Sequence, residues 1–157
     1  MGGGEGIPRQ ITDQAYDLGK RIAENGWVLL NGGRNLGIME ASAKGAREAG
    51  GLTVGILPDS DTNRMSQYVD IPILTGMGDA RNSINVLSSD VVVIMPGGAG
   101  TLSEAALALK SGKDVILLGF PLLDHFQAYK DVGQVQQAVS VEAVISWIEE
   151  MKEAHWF

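Results

Sequence analysis

The stretch DVVVIMPGGAGTLSE, from Asp90 to Glu104, decides the fold class. Its apolar run, residues 91–95, has the length and the valine and isoleucine content of a buried strand. A glycine-rich turn follows and leads into a segment rich in alanine and leucine, which is typical of a helix. A buried strand that enters a helix through a tight turn predicts one unit of a parallel α/β sheet.

The rest of the chain repeats this alternation. Apolar runs that predict strands stand at residues 27–31, 52–58, 69–74 and 114–120, and amphipathic segments that predict helices lie between or around them. One of these helices, residues 78–89, is expected to bury Ala80, Ile84 and Leu87 on one face, and residues 121–134 are expected to form a loop. The pattern predicts a single Rossmann-like domain over residues 1–157, with a doubly wound parallel sheet flanked by helices.

The beginning of the chain departs from this pattern. The segment GGGEG, residues 2–6, resembles the turn that should follow a first strand, but only Met1 precedes it. The first strand of the fold is therefore expected to be missing or truncated. Its absence would expose the edge of a neighbouring strand, which something else should cover.

Composition narrows the classes of function. The 157 residues carry a formal charge of −7, which disfavours nucleic acid as a partner. The chain has no cysteine, so disulfides and thiol chemistry are excluded. Neither a leader peptide nor an apolar run long enough to span a membrane is evident, and the expected location is the cytoplasm. The two histidines lack partners at useful spacing, and no metal site is predicted.

Three glycine-rich turns are the candidate binding site. They are GGGEG, NGGRNLG and PGGAGT, and the last two follow strands and open helices. Free N–H groups at a helix N-terminus, together with the helix dipole, favour a bound phosphate. Neither a P-loop nor a dinucleotide fingerprint is present. The predicted phosphate-binding residues are Gly32, Gly33, Arg34, Gly97, Gly98, Gly100 and Thr101, although each turn taken alone is equally explained as a tight connection.

The segment from Thr101 to Glu104 has two interpretations. Thr-x-x-Glu is the spacing of a capping box, in which the two side chains only close the helix N-terminus. Alternatively, the Glu104 carboxylate points into the binding site and stabilises a cationic transition state or orients a water molecule. Spacing does not choose between the two.

The motif PGGAGTLSE resembles the PGGxGTxxE motif of the lonely guy (LOG) superfamily, long mislabelled as lysine decarboxylases. The resemblance extends from GGGEG to DVILLGF. Its members include phosphoribohydrolases that cleave the glycosidic bond of AMP-type nucleotides. The resemblance implies that Arg81 and Glu104 would be the catalytic pair if the protein is an enzyme. No lysine is placed for a Schiff base, so decarboxylase chemistry is rejected.

Two segments differ from those of the enzymes. NGGRNLGIME stands where GGGxxGLMG is usual, and GMGDARNSI stands where the enzymes carry an MHxRK-like segment. These variants are closer to the molybdenum cofactor carrier proteins of the same superfamily. The resemblance therefore implies a small phosphorylated ligand, with the molybdenum cofactor first, an AMP-type nucleotide second and a non-catalytic nucleotide sensor third. It also implies a homodimer or homotetramer.

Overall fold

The computed structural model describes residues 1–155 of the chain. Strands and helices alternate along most of it, as the apolar runs predict. The strands are β1 (Leu29–Asn31), β2 (Thr53–Leu57), β3 (Ile71–Leu74), β4 (Val91–Ile94), β5 (Asp114–Leu118) and β6 (Val135–Ala138). The helices are α1 (Arg9–Glu24), α2 (Gly37–Glu48), α3 (Asn82–Leu87), α4 (Ala99–Lys110), α5 (Gln127–Asp131) and α6 (Val141–His155), with 3-10 helices at Gly78–Arg81 and Asp124–Phe126.

All the strand pairs are parallel. They form two three-stranded sheets, with the orders β1-β2-β3 and β4-β5-β6. Because β1 and β4 stand at facing edges, the strand order reverses between them, as in a doubly wound sheet. The predicted Rossmann-like α/β class is confirmed.

Helices cover both faces of the β4-β5-β6 sheet. Val92 and Ile94 belong to a cluster with Ala105 and Leu109 of α4, whereas Met95 belongs to a cluster with residues of α1 and α6. Successive strand residues point to opposite faces, so an apolar run supplies both clusters at once. None of the helices described in residues 1–155 combines the length and apolarity needed to cross a lipid bilayer.

The first residues lie beside β4. The Met1 amino group donates to the Val93 carbonyl (2.6 Å), and the Met95 N–H donates to the Met1 carbonyl (2.8 Å), as in a parallel strand pair. Within residues 1–155 the first element is α1, and only the Met1 backbone pairs with β4 ahead of it. Apart from the Met1 contact, β1 and β4 are separated by a gap. Apolar side chains line this gap, and one of them, Val28, is 55% exposed.

Three local predictions are wrong. The helix that follows β3 does not bury Ala80 and Leu87, which are exposed; its buried face is instead mostly polar. The expected loop at 121–134 contains two short helices. The strand β6, which begins at residue 135, was not predicted, because its sequence VQQA has no apolar run.

Candidate functional site

Most of the predicted site residues meet in one cavity. It has a volume of about 590 Å³ and extends along the facing edges of β1 and β4 to their carboxyl ends. Its polar end, the name used below, is formed by Gly32, Asp79, Arg81, Gly98, Gly100, Thr101 and Glu104. Ligands of doubly wound proteins bind at this position, where the strand order reverses.

Gly33, Arg34 and Gly97 are not among the residues that line the cavity. Gly33 is buried, has a φ of +75°, and a Cβ there would lie 3.0 Å from the Gly55 Cα, so glycine is required for packing. Arg34 is half-buried and its backbone bridges to Met65, which anchors it to the loop after β2. Arg34 nevertheless lies near enough to Arg81 for its charge to lower the pKa of Arg81.

The turn between β4 and α4 presents unpaired backbone donors. The first helical hydrogen bond runs from the Leu102 N–H to the Gly98 carbonyl (3.1 Å). Within residues 1–155 the N–H groups of residues 98–101 therefore have no hydrogen-bond acceptor, as at any helix N-terminus. Gly98 and Gly100 have open space where a Cβ would stand, so a ligand can approach their backbone.

The predicted capping box does not form. The helix α4 begins at Ala99 and has no side-chain cap, so Thr101 and Glu104 lie inside it. A Cβ at Gly97 would lie 2.8 Å from the Thr101 Cβ, which shows that the Thr101 side chain lies against the turn. Glu104 therefore does not act as a cap, and it lines the polar end of the cavity.

Arg81 is the buried cation of the polar end. Its side chain belongs to the 3-10 helix after β3 and the residue is only 8% exposed. The Nη1 atom donates to the Asn82 Oδ1, whereas Nε is buried without a partner. A Cβ at Gly32 would lie 2.7 Å from the Arg81 Nη2, so the guanidinium rests against the glycine turn after β1. Burial lowers the pKa of Arg81, but an arginine stays protonated at any physiological pH.

Glu104 is the buried acid of the polar end. It is 7% exposed, and its Oε1 accepts a hydrogen bond from the Asn85 Nδ2 (3.2 Å). Burial raises the pKa of the Glu104 carboxyl above its ordinary value, while the Met1 ammonium, the Asn85 amide and Arg81 oppose the rise. Glu104 and Arg81 share the cavity, but in the described chain they form no ion pair.

We therefore expect the substitution Glu104→Gln to stabilise the protein increasingly as pH rises. A carboxyl whose pKa is raised by folding contributes stability that is fully present below the unfolded-state value, near 4.5, and is lost as pH rises through the folded-state value. Glutamine removes this loss. Urea denaturation at pH 4, 6 and 8 should show that the free energy of unfolding of the variant increases relative to that of the wild type as pH rises.

The matched control is Glu149→Gln, which changes an exposed glutamate on α6. It should leave the difference from the wild type constant over the same pH series. If the free energy of unfolding of Glu104→Gln relative to the wild type stays constant or decreases as pH rises, the assignment of Glu104 as a buried carboxyl is wrong.

The cavity continues away from these groups into an apolar end. There it lies between the facing edges of β1 and β4, beneath α1 and α6. Its lining includes Leu18, Ile22, Val28, Leu30, Val91, Val93 and Ile148. Of the charged side chains that line the cavity, Lys152 and Asp90 lie along this part, whereas Asp79, Arg81 and Glu104 lie at the polar end.

Sequence reasoning missed Asn82 and Asn85. Both are buried, at 4% and 0% exposed, and each contacts one of the two charged side chains of the polar end. Asp79 makes no capping hydrogen bond, and it is exposed at the cavity wall. Two asparagines three residues apart, next to an arginine, were the available signal.

The fold and the polar end define a class: Rossmann-like α/β proteins with a cavity and glycine-rich turns at the point where the strand order reverses. Within that class, the model of the SLOG cluster4 family matches residues 1–145. The chain belongs to this family, which confirms the predicted LOG-like superfamily.

Solved structures and sequence relatives extend the comparison. The molybdenum cofactor binding protein of Rippkaea orientalis is 52% identical with a TM-score of 0.90, over 96% of this chain and 93% of that one. The Moco carrier protein of Chlamydomonas reinhardtii is 46% identical with a TM-score of 0.89, over 98% and 95%. The cytokinin riboside 5′-monophosphate phosphoribohydrolase of Mycobacterium tuberculosis is 36% identical over 97 residues, 60% of this chain and 52% of that protein. The match thus spans about half the length of that enzyme.

Proposed function

We propose that this protein binds a phosphorylated heterocyclic ligand at the polar end and acts as a carrier or storage protein for the molybdenum cofactor. The observation that carries the proposal is Arg81, a cation that is 8% exposed, has an Nε without a partner, and forms no ion pair within residues 1–155, although the Glu104 carboxyl lies near enough to affect its pKa. A buried cation without a direct ion pair is costly, and an anionic ligand in contact with it offsets that cost.

The backbone of α4 adds a second set of donors to the same place. The free N–H groups at residues 98–101 and the helix dipole favour an anion beside Arg81. Phosphate is the anion that both a guanidinium and a glycine turn recognise well. These two independent donor sets, from different elements, support a phosphate-binding role for Gly98, Gly100, Thr101 and Arg81.

The cavity also has the volume for a heterocyclic ligand. Its volume of about 590 Å³ lies in the range of small-molecule sites, roughly 300–1,000 Å³. A pterin with a terminal phosphate presents the two chemistries that the cavity offers, an anion for Arg81 and a ring for the adjoining surface. The similarity to two cofactor-binding proteins, over nearly the whole chain, favours this cargo.

Glu104 favours a second candidate function, that of a nucleotide 5′-monophosphate phosphoribohydrolase. A buried carboxyl near a phosphate site is placed to stabilise an oxocarbenium-like transition state, in which case Arg81 and Glu104 form the catalytic pair. The mycobacterial relative supports this alternative over 60% of the chain. A sensor that binds AMP-type nucleotides without cleaving them is a weaker third candidate.

We further propose a cytoplasmic homodimer or homotetramer that does not bind nucleic acid. The formal charge of −7 supports the last point.

The test compares binding with turnover in one preparation. The protein is mixed with molybdenum cofactor released from a molybdoenzyme, passed through gel filtration, and assayed for molybdenum and pterin fluorescence. In parallel, AMP is incubated with the protein and free adenine is measured by chromatography. The carrier predicts retained molybdenum and pterin in equal amounts and no adenine.

Arg81→Met should abolish retention, whereas Arg9→Met, which removes a side chain that is 92% exposed, should not. Adenine release that disappears in Glu104→Ala would overturn the carrier proposal in favour of the hydrolase. Failure to retain cofactor without adenine release would overturn both.

A further inference from the structure

The helix α3 buries two asparagines on one face. Asn82 and Asn85 are three residues apart and therefore project from the same side of the helix, toward α4. They are 4% and 0% exposed, among the most buried polar residues of the chain. A buried amide is costly unless its hydrogen bonds are made, so both positions call for a specific explanation.

Each asparagine holds one charged side chain of the polar end. The Asn82 Oδ1 accepts from the Arg81 guanidinium, and its Nδ2 donates to the Ser103 Oγ (3.1 Å). Ser103 in turn donates to the Gly100 carbonyl (2.7 Å), which ties the network to the first turn of α4. The Asn85 Nδ2 donates to the Glu104 Oε1 (3.2 Å).

The two charges are near enough for each to shift the pKa of the other, but they form no ion pair in the described chain. In a water-poor cavity a direct guanidinium–carboxylate pair is strongly favoured over separated charges. Such a pair would occupy donors of Arg81 that an anionic ligand needs.

We infer that Asn82 and Asn85 are positioning residues that hold Arg81 and Glu104 apart, so that the arginine remains available to the anion. The inference rests on the proposed function in one respect, the anion at Arg81. Packing alone does not account for Asn85: its Oδ1 is buried without a partner, and an apolar side chain would leave no such atom unsatisfied.

The test replaces the amide and then removes the carboxylate. Asn85→Leu frees Glu104 to pair with Arg81, so the dissociation constant for AMP, measured by calorimetry at low salt, should rise about tenfold. In the double variant Asn85→Leu/Glu104→Gln no carboxylate can neutralise Arg81, and affinity should return to that of Glu104→Gln alone. If the double variant binds AMP as weakly as Asn85→Leu does, Asn85 has only a structural role and the inference is overturned. The inference is also overturned if Asn85→Leu binds AMP with the affinity of the wild type.

A second readout needs no ligand and separates this inference from the proposed function. The Glu104 carboxyl is titrated by carbon-13 NMR in the wild type and in Asn85→Leu. Since the Asn85 hydrogen bond lowers the pKa of Glu104, its simple loss would raise that pKa, whereas a new ion pair with Arg81 would lower it. We expect the pKa of Glu104 to be lower in Asn85→Leu than in the wild type, and a higher pKa would overturn the inference.

The matched control is Ser83→Leu, which places the same side chain on the exposed face of α3. It should change neither AMP affinity nor the titration. If the wild type binds no AMP or other phosphate, the proposed function fails, and the titration still decides whether the asparagines keep the two charges apart.

Discussion

Replacing Gly19 by alanine should lower the free energy of unfolding by about 1–3 kcal/mol, the usual cost of overpacking. The helices α1 and α2 approach each other through glycines. A Cβ at Gly19 would lie 2.8 Å from the Ser42 carbonyl carbon and even nearer to its oxygen. A Cβ at Gly45 would lie 2.9 Å from the Tyr16 carbonyl carbon in the same way. The obstructing atoms are backbone, so they cannot rotate away as a side chain would.

The sign of this effect is opposite to that of helix propensity. Glycine inside a helix costs about 1 kcal/mol relative to alanine, so propensity alone would make Gly19→Ala stabilising. Urea denaturation of Gly19→Ala and Gly45→Ala therefore decides between close backbone packing and propensity. The control is Gly100→Ala in α4, where a Cβ meets no atom and the stability should be unchanged or slightly higher. Equal or greater stability of the two α1–α2 variants would disprove the close packing.

The same contact reaches the functional site. Gly19 lies against the Ser42 carbonyl, and the Ser42 Oγ accepts a hydrogen bond from the Asn31 Nδ2 (3.1 Å). The Asn31 Oδ1 in turn accepts a hydrogen bond from the Gly33 N–H (2.8 Å). A displacement of α2 would thus be passed to the glycine turn against which Arg81 rests.

The sequence predicted those parts of the fold whose burial follows apolar periodicity. The runs that became β2, β4 and β5 are apolar enough to serve both faces of a covered sheet, and α1 carries its apolar residues at helical spacing. The strand β6 was not predicted, because two glutamines separate its buried residues, Val135 and Ala138, and interrupt the apolar pattern. Its place is set by pairing with β5, which no local pattern records.

The helix after β3 shows why the site was harder to predict than the fold. The expectation that Ala80 and Leu87 are buried assumed that apolar residues face inward. The structure buries Arg81, Asn82 and Asn85 instead, because Arg81 and Asn82 line the cavity and Asn85 donates a hydrogen bond to the buried Glu104. The resemblance supplied Arg81 and Glu104, but nothing in the spacing of the two asparagines told which charged groups they would contact.

Arg81→Met should weaken the binding of inorganic phosphate or AMP by roughly 10- to 100-fold, the range for loss of a charge-assisted hydrogen-bond donor. Methionine keeps an unbranched chain of useful length but removes every donor and the charge. Methionine removes the desolvation cost of a buried guanidinium, but it also removes the hydrogen bond to the Asn82 Oδ1, and because these two effects oppose each other the unfolding free energy should change little. Calorimetric titration gives the affinity and urea denaturation gives the stability.

A large loss of affinity with little change in stability would be specific to a binding role. A residue needed only for the fold would lose affinity and stability together when it is replaced. Arg81→Lys separates charge from geometry: an ammonium keeps the charge but lacks the planar set of donors, so its affinity should fall between those of the wild type and Arg81→Met. Arg64→Met is the control on the nearby loop, since Arg64 pairs with Asp59 and is half exposed. If it weakens phosphate binding as much as Arg81→Met does, the anion is held by the general positive field of the loops, and not by the guanidinium at the polar end.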